Sequence, residues 1–335
     1  MQITPAQLTP SRLAWLLALG LLLVLLLSIF IGRYPAPYWM PPSLLQEDVL
    51  AQRLVWSLRL PRLLTALLLG MTLSACGTVL QMVFRNPLVE PGFLGVSQGA
   101  AFGAAVSILW IGTSPVTIEI LATGFALLGL AFSYALARQW RFGGWALRLI
   151  LAGIAVSALF SAGVGILKYM ADPLTQLPEI TFWMMGGLWS VTWRDLLYIL
   201  PLVLPGLLLV YLMRWRLNLL SLNDETAFSL GAAPARERGV LLVAAVAATA
   251  AVISVSGVVG WVGLIVPHLA RRLCGANAQH TLPISMLIGG IFVVICDNLA
   301  RTLLPGEIPL GILTSLIGSA IFVVLMLSAR VGLPR

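Results

Sequence analysis

The sequence predicts an all-α polytopic membrane protein with about ten transmembrane helices, forming a single transmembrane domain over residues 1–335. Its mean hydropathy is +1.00. Hydrophobic residues make up 60% of the chain and charged residues 10%, whereas soluble domains are about half apolar and about a quarter charged. The apolar segments are about 20 residues long, which is the length that crosses a bilayer as a helix. The 31 glycines and 20 prolines also fit, because transmembrane helices tolerate both.

Ten apolar segments are candidate spans: 12–32, 62–84, 96–112, 117–137, 146–168, 195–213, 239–256, 257–273, 283–301 and 308–329. The first is longer than the apolar core of a signal peptide, so we expect it to be retained as a helix. The eighth is short, rich in glycine and contains Pro267. Short or broken helices of this kind often line the pathway of a transporter.

The Lys and Arg residues indicate the orientation, because cytoplasmic segments are enriched in them. With the N-terminus inside, thirteen fall on inner segments: Arg12, Arg85, Arg138, Arg141, Arg148, Arg214, Arg216, Arg236, Arg238, Arg271, Arg272, Arg330 and Arg335. Seven fall on outer segments: Arg33, Arg53, Arg59, Arg62, Lys168, Arg194 and Arg301. This bias predicts that both termini are cytoplasmic. It also accounts for the net charge of +8 without a nucleic acid partner.

Three of the outer arginines, Arg53, Arg59 and Arg62, cluster just before the second span. Two explanations are open. The side chains can extend to the lipid headgroups, or they can meet an acidic partner that docks from outside.

The sequence lacks the residues that catalysis would need, so we expect no enzyme activity, no metal site and no cofactor on this chain. Its one lysine, Lys168, is not in a glycine-rich loop, which excludes a G-x-x-x-x-G-K-[ST] phosphate-binding loop. Asp297 and Arg301 are four residues apart and can pair on one helix face. No paired carboxylates are evident at mid-membrane, where ion-driven carriers need ionisable groups. This favours a separate motor subunit.

A motor would need a contact on the inner face, and the loop 214–238 offers one. Within it, "SLNDETAFSLGAAPARERG" predicts a short helix. Asp224 and Glu225 occupy its first turn, where acidic groups suit the helix dipole. Ala227, Phe228 and Leu230 give it an apolar side, and Gly231 can end it. The helix would dock into a partner or, alternatively, lie on the lipid surface.

Four stretches resemble a known family: "RLPRLLTALLLGMTLSACGTVLQMVFRNPLVEPGFLGVSQGA" (59–100), "FWMMGGLWSVTW" (182–193), "SGVVGWVGLIVPHLARRLCG" (256–275) and "DNLARTLLPGEIPLGILTSLIGSAIF" (297–322). The chain resembles the permease subunits of type II ATP-binding-cassette importers for iron siderophores, haem and cobalamin. The resemblance implies ten helices per subunit and a homodimer in the bacterial inner membrane. It also implies two cytoplasmic ATPase subunits, which hold ATP and Mg²⁺, and a periplasmic binding protein.

The resemblance also implies roles for particular residues. In the cobalamin permease, arginines matching Arg59, Arg62 and Arg301 meet glutamates of the binding protein. The family's coupling helices match the segment with Ala227, Leu230 and Gly231. Its inner gate includes the turn that is Asn86, Pro87 and Leu88 here. A second gate element matches Ala146 and Leu147, where the cobalamin permease has small hydroxyl residues instead.

The stretch "VFRNPLVEPGFLG" (83–95) is therefore expected to form the turn between the second and third spans at the inner mouth. Pro87 and Pro91 stop helix propagation, and Gly92 and Gly95 permit tight backbone geometry. Such a stiff turn is either a gate or simply a well-capped connection.

The leading hypothesis is an ATP-driven importer of a metal chelate such as cobalamin, haem or a ferric siderophore. An importer of an oxyanion such as molybdate or tungstate, with the same fold, is one alternative. A carrier driven by an ion gradient and a passive channel or structural subunit are the others. We expect Gln81, Ser97 and Gln98 to contribute to the translocation cavity, but these residue types do not identify the cargo.

Overall fold

A computed structural model describes residues 9–140 and 143–330, and most of them lie in long helices. The long helices are α1 (Pro10–Phe30), α4 (Leu60–Val83), α5 (Val96–Val106), α6 (Pro115–Gln139), α7 (Trp145–Met170), α9 (Trp193–Leu212), α12 (Pro234–Ser256), α13 (Val262–Cys274), α14 (Ala278–Thr302) and α15 (Leu310–Arg330). The shorter ones are α2 (Leu44–Glu47), α3 (Val49–Arg53), α8 (Gln176–Met185), α10 (Arg214–Leu220) and α11 (Asp224–Ser229). π-Helical turns at Leu54–Arg59 and Ser107–Ile111 extend α4 and α5, and a 3₁₀ turn spans Pro91–Leu94.

Each of the ten predicted spans coincides with one of the ten long helices, which confirms the predicted fold class. Within the described residues, eight helices are long and apolar enough to cross a membrane. The other two are the shorter apolar helix Val96–Ile111 and α13, which has 13 residues. Arg141 and both chain ends, 1–8 and 331–335, lie outside the described residues.

The eighth helix begins later than predicted, at Val262 rather than at residue 257. The backbone has positive φ angles at Gly257 (66°) and Trp261 (70°), so the intervening segment is not helical. Gly257 also passes so close to α8 that a Cβ there would lie 2.1 Å from the carbonyl oxygen of Trp183. The short α8 was itself not predicted, because its ten residues are fewer than a membrane span needs.

Close contacts between small residues hold α4 at the centre of the bundle. A Cβ built on Gly70 would lie 2.1 Å from the carbonyl oxygen of Gly289 in α14, and one on Gly77 would lie 1.9 Å from that of Gly263 in α13. The backbone of α4 therefore lies closer to those of α13 and α14 than any residue with a Cβ atom would allow. Such close contacts at small residues are common between membrane helices. By contrast, α1 is largely exposed and packs mainly against α14.

We call the end of the bundle at which α1 begins the proximal end, and the other the distal end. The connection 84–90, the start of α7, and α10 and α11 lie at the proximal end, where they contact one another. The distal end carries a small antiparallel sheet in which β1 (Ile31–Gly32) pairs with β2 (Tyr38–Trp39). Met40, Ala51 and Val55 form a small core beside it.

Candidate translocation cavity and gate

A cavity of about 350 Å³ lies between α5, α7 and the segment that precedes α13. A second cavity, of about 700 Å³, lies beside α8 and α15 and shares the lining residues Glu90, Val258 and Gly260 with the first. We call the two together the central cavity. Ser97 and Gln98, which were expected to contribute to the translocation cavity, line its first part.

Gln81, the third expected cavity residue, lies behind the wall rather than on it. Its side chain is buried, and its amide nitrogen donates to the carbonyl oxygens of Gly263 and Leu264, at 3.2 Å each. Its carbonyl oxygen accepts a hydrogen bond from Arg271. The structure therefore gives Gln81 a packing role between α4 and α13.

The sequence argument did not single out Glu90, which places a carboxyl group in both parts of the central cavity. Burial raises the pKa of Glu90, and a hydrogen bond from the backbone of Trp261 opposes that shift. An acidic side chain between two prolines, in a chain with so few charges, was the signal that could have identified it. Glu90 is the one acidic side chain among the described residues that line the central cavity.

The turn that contains the predicted gate residues is held by local hydrogen bonds. The side-chain oxygen of Asn86 accepts a hydrogen bond from the backbone of Leu88 at 3.0 Å, and the backbone of Asn86 donates to Gln81 at 3.1 Å. Arg85 has a positive φ of 50°, which helps to reverse the chain after α4. Pro87 and Leu88 project outward and are exposed. The geometry is that of a fixed turn with one apolar side chain at its tip.

The two predicted gate elements are held together by an aromatic stack. The ring of Phe84, at the end of α4, lies parallel to that of Trp145, at the start of α7, with centroids 5.5 Å apart and an interplanar angle of 7°. Ala146 and Leu147 directly follow Trp145, and Leu147 is exposed. Stacking of this kind contributes about 0.5–1.5 kcal/mol beyond the buried area, so it links the two elements directly.

The predicted short helix of the proximal loop is present as α11. The side chain of Asn223 caps it by accepting a hydrogen bond from the backbone of Thr226 at 2.9 Å. Gly231, with a φ of 80°, follows its end. Phe228 and Leu230 are 73% and 57% exposed, whereas Ala227 is fully buried. Ala227 therefore anchors α11 to the bundle, and the other two apolar side chains face outward.

Ion pairs connect α11 to the turn and to α12, and a cation–π contact leads from α12 to the start of α7. The Asp224 carboxylate accepts a hydrogen bond from Arg238 at 2.7 Å and lies 3.6 Å from the guanidinium of Arg85. Arg85 also donates to the backbone oxygen of Leu222. The guanidinium of Arg238 lies 5.7 Å from the ring centre of Trp145, over its face.

We call Phe84, Arg85, Trp145, Asp224 and Arg238 the proximal cluster. Within it, the hydrogen bond that Arg238 donates to the Asp224 carboxylate holds the pKa of Asp224 below its usual value. The cluster gives a continuous set of contacts from the exposed helix α11 to both predicted gate elements.

The three arginines expected to dock a binding protein all lie at the distal end, where Arg59 and Arg62 are buried and Arg301 is partly buried, and each has partners in its own chain. Arg62 forms ion pairs with Asp297 and Glu307, both at 2.8 Å. Arg59 donates to the backbone oxygen of Ile29 at 2.7 Å. The structure thus gathers these side chains, which lie far apart in sequence, in one region of the distal end.

Arg301 belongs to the same region. It donates to the backbone oxygen of Ser28 at 2.6 Å and lies 4.0 Å from Asp297, so the predicted i,i+4 pair is confirmed. Arg62 is nevertheless the closer partner of Asp297. Arg62 and Asp297 are 235 residues apart in the sequence, so no local sequence pattern could have predicted their contact.

The described residues contain no group of three or more His, Cys, Asp or Glu side chains that could hold a metal ion.

Comparison with known proteins gives consistent results. The model of the FecCD transport family matches residues 20–328. The chain is 40% identical over 328 residues to the molybdate import system permease protein MolB of Haemophilus influenzae, covering 95% of this chain and 96% of that protein. It is 38% identical to the hemin transport system permease protein HmuU of Yersinia pestis, covering 82% and 84%.

A solved structure agrees in fold as well as in sequence. It is described as an inward-facing conformation of a metal-chelate type ABC transporter, and it superposes with a TM-score of 0.88 at 38% identity, covering 95% of this chain and 99% of that one. The helices that surround the central cavity therefore have counterparts in that solved structure. The matched length, the identities and the shared fold lead to one conclusion: this chain belongs to the FecCD transport family of membrane permeases.

Proposed function

We propose that this permease is the membrane-spanning subunit of an ATP-driven importer that carries a metal chelate, such as cobalamin, haem or a ferric siderophore, into the cytoplasm. The proximal cluster is the observation that carries the proposal. The cluster connects the exposed helix α11, which could bind a partner protein, with both predicted gate elements. Those elements would open and close the pathway. A chain without a phosphate-binding loop needs that kind of connection if its energy comes from another subunit.

The proximal end would face the cytoplasm and the distal end the periplasm of an inner membrane, in line with the distribution of Lys and Arg. Two ATPase subunits would then contact α11 through Phe228 and Leu230. Large apolar side chains that are this exposed at a bundle end are typical of binding surfaces. ATP and Mg²⁺ would be held by those subunits, and the permease would contribute no catalytic residue.

A second copy of the chain would complete the pathway. The wall formed by α15 includes Ile312 and Leu316, which line the central cavity and are exposed in a single chain. A symmetric dimer would cover such a face. The turn with Asn86, Pro87 and Leu88, together with Ala146 and Leu147, would then close the proximal mouth.

The distal arginines would receive a periplasmic binding protein through its acidic side chains. Because Arg62 already has two carboxylate partners, docking through it requires an exchange of partners, and Glu307 is the more exposed of the two. Arg59 donates to a backbone oxygen and Arg301 shares Asp297 with Arg62, so the three arginines outnumber the two carboxylates and keep a positive charge that can attract an acidic surface.

The cargo proposal follows the names of several relatives. Relatives include an iron chelatin permease of Helicobacter pylori at 39% identity, as well as the haemin permease. An ionised Glu90 in the central cavity would repel a free oxyanion. The molybdate permease of Haemophilus influenzae, at 40% identity, favours molybdate as the second candidate.

Substitution of Leu230 by Asp tests the ATPase contact. It places a charge on the exposed face of α11 without touching the buried Ala227. We expect the variant to fold normally but to lose most of the ATPase that co-purifies with the wild-type permease. The matched control is Glu225→Gln, which changes a charge on the same helix. Equal recovery of the ATPase with Leu230→Asp and with the wild type would contradict the proposed contact.

A further inference from the structure

Three residues line both parts of the central cavity: Glu90, Val258 and Gly260. Val258 and Gly260 belong to the non-helical segment 257–261 that precedes α13, and Glu90 ends the connection 84–90. The two parts have volumes of about 350 and 700 Å³, which lie within the usual range of about 300–1,000 Å³ for cavities that hold small molecules. A molecule that moves from one part to the other would pass beside these three residues.

Two glycines near this junction are needed for packing. Gly257 has a positive φ of 66°, and a Cβ built on it would lie 2.1 Å from the carbonyl oxygen of Trp183 in α8. Gly311 lines the second part of the cavity from α15, and its Cβ would lie 2.4 Å from the carbonyl oxygen of Met185. Cβ atoms do not approach other atoms so closely, so a side chain at either position would push α8 away.

Gly260 has neither constraint. Its φ lies outside the left-handed region that favours glycine. In the described part of the chain, no atom beyond its two sequence neighbours lies within 4 Å of a Cβ built on it. A glycine where another residue would fit costs stability, because it makes the unfolded chain more flexible. The open space beside Gly260 belongs to the central cavity, so the missing side chain enlarges the cavity and permits no close contact.

The wall that carries Gly260 is held in place by the next residue. Trp261 has a positive φ of 70°, which is unusual for a bulky side chain. Its carbonyl oxygen accepts hydrogen bonds from the backbones of Leu264 and Ile265, at 3.2 and 2.9 Å, at the start of α13. Its ring packs edge-on against Phe322 in α15, with centroids 6.1 Å apart. A side chain at position 260 would therefore project into the cavity, because the wall is fixed on its other side.

We propose that Gly260 is a specificity-determining residue that keeps the two parts of the central cavity open to each other, so that a bulky cargo passes between them. The free width beside Gly260 would set an upper limit on the size of the cargo. The inference rests on the proposed import of a metal chelate, which is larger than a simple oxyanion and needs such a width.

Thiol labelling tests the open space without any cargo or partner. Gly260→Cys is made in a Cys274→Ser background, in which the remaining cysteines, Cys76 and Cys296, are buried. The full-length permease in detergent is treated with a water-soluble trimethylammonium methanethiosulfonate, and the added mass is measured. We expect Gly260→Cys to be labelled and the background protein to stay unlabelled. Labelling of the folded Gly260→Cys variant no faster than the background would overturn the proposal. So would a thermal midpoint lowered as strongly by Gly260→Ala as by Gly257→Ala, because Gly260 would then be needed for packing.

Transport tests the consequence for the cargo. In proteoliposomes with the ATPase and the binding protein, Gly260→Leu should reduce uptake of the chelate that the wild type accumulates by at least about tenfold, since one extra methylene in a fitted pocket already changes discrimination by about 10–200-fold. Gly260→Ala should reduce it less. Gly165→Leu is the matched control, because Gly165 is an exposed residue of α7 that lines neither part of the cavity.

Unchanged uptake with Gly260→Leu would overturn the proposal, as would loss of uptake to the same extent with Gly165→Leu. A wild type that accumulates no metal chelate would instead count against the proposed function, and the labelling result would then decide whether the passage beside Gly260 is open.

Discussion

Replacing Asp224 by Asn should uncouple ATP hydrolysis from transport. The substitution keeps the size of the side chain but removes the charge that joins Arg238 and Arg85. Arg238 is left with its hydrogen bond to the backbone oxygen of Leu220, at 3.1 Å, and its contact with Trp145. We therefore expect α11 to remain folded, while its connection to the turn after α4 weakens.

The size of the effect follows from the burial of the two partners. The Arg238 side chain is 7% exposed and that of Asp224 is 64% exposed. A fully exposed ion pair contributes about 0–1 kcal/mol, and loss of one partner of a buried pair costs about 3–5 kcal/mol. This half-buried, hydrogen-bonded pair should fall between them, at about 1–2 kcal/mol. A change of that size alters a two-state equilibrium by a factor of about 5–30.

The assay compares cargo transported per ATP hydrolysed in proteoliposomes that contain the permease and its ATPase. The ratio should fall by up to about 5–30-fold for Asp224→Asn, with ATPase binding retained. Glu225→Gln is the matched control, because Glu225 forms no ion pair in the described part of the chain, and it should leave the ratio unchanged. An unchanged ratio for Asp224→Asn, at equal ATPase binding, would refute the role of the proximal cluster.

The same pair should show a pH signature. Because the pKa of Asp224 is lower in the folded protein, its stabilisation is fully present above the ordinary aspartate pKa of about 4. It is lost as the pH falls through the lower, folded value. The difference in thermal midpoint between wild type and Asp224→Asn should therefore be constant near neutral pH and shrink below about pH 4.

Two further predictions concern the stability of the fold. Gly77→Ala should strongly lower the thermal midpoint in detergent, because its Cβ would lie 1.9 Å from a backbone oxygen of α13. Gly124→Ala should leave the midpoint nearly unchanged, because no atom lies within 4 Å of the added Cβ. Equal midpoints for the two variants would contradict the packing described. Asp297→Asn should destabilise by about 3 kcal/mol or more, since it leaves Arg62 without its buried carboxylate partner. Glu307→Gln should cost about 1 kcal/mol or less because its carboxylate is partly exposed, and the reverse order would be inconsistent with the observed burial.

The helices were predictable because the bilayer imposes a length and an apolar composition on each span. Hydropathy did not predict the helix boundaries that are set by backbone conformation. The eighth helix starts after Trp261 because of two residues with positive φ, and no hydropathy pattern shows this. The short α8 was missed because its ten residues do not satisfy a rule based on spanning length.

The site was predictable to the extent that its residues lie close together in sequence. The turn at 86–88 and the capped helix α11 follow from proline, asparagine and acidic residues in known local roles. The contacts that connect them, such as Arg85 with Asp224, are tertiary. Likewise, the sequence identified Arg62 as unusual but not its pairing with Asp297, because only the packing of α4 against α14 brings the two together.

The most direct test of the proposed function is uptake by proteoliposomes that contain the permease, its cognate ATPase and its binding protein, with radiolabelled ferric siderophore, haem, cobalamin and molybdate compared in parallel. We predict accumulation of one metal chelate that requires ATP hydrolysis and is insensitive to collapse of ion gradients. Accumulation of molybdate alone would contradict the chelate proposal. Accumulation that persists without ATP but stops when the gradients collapse would contradict the ATP-driven mechanism itself.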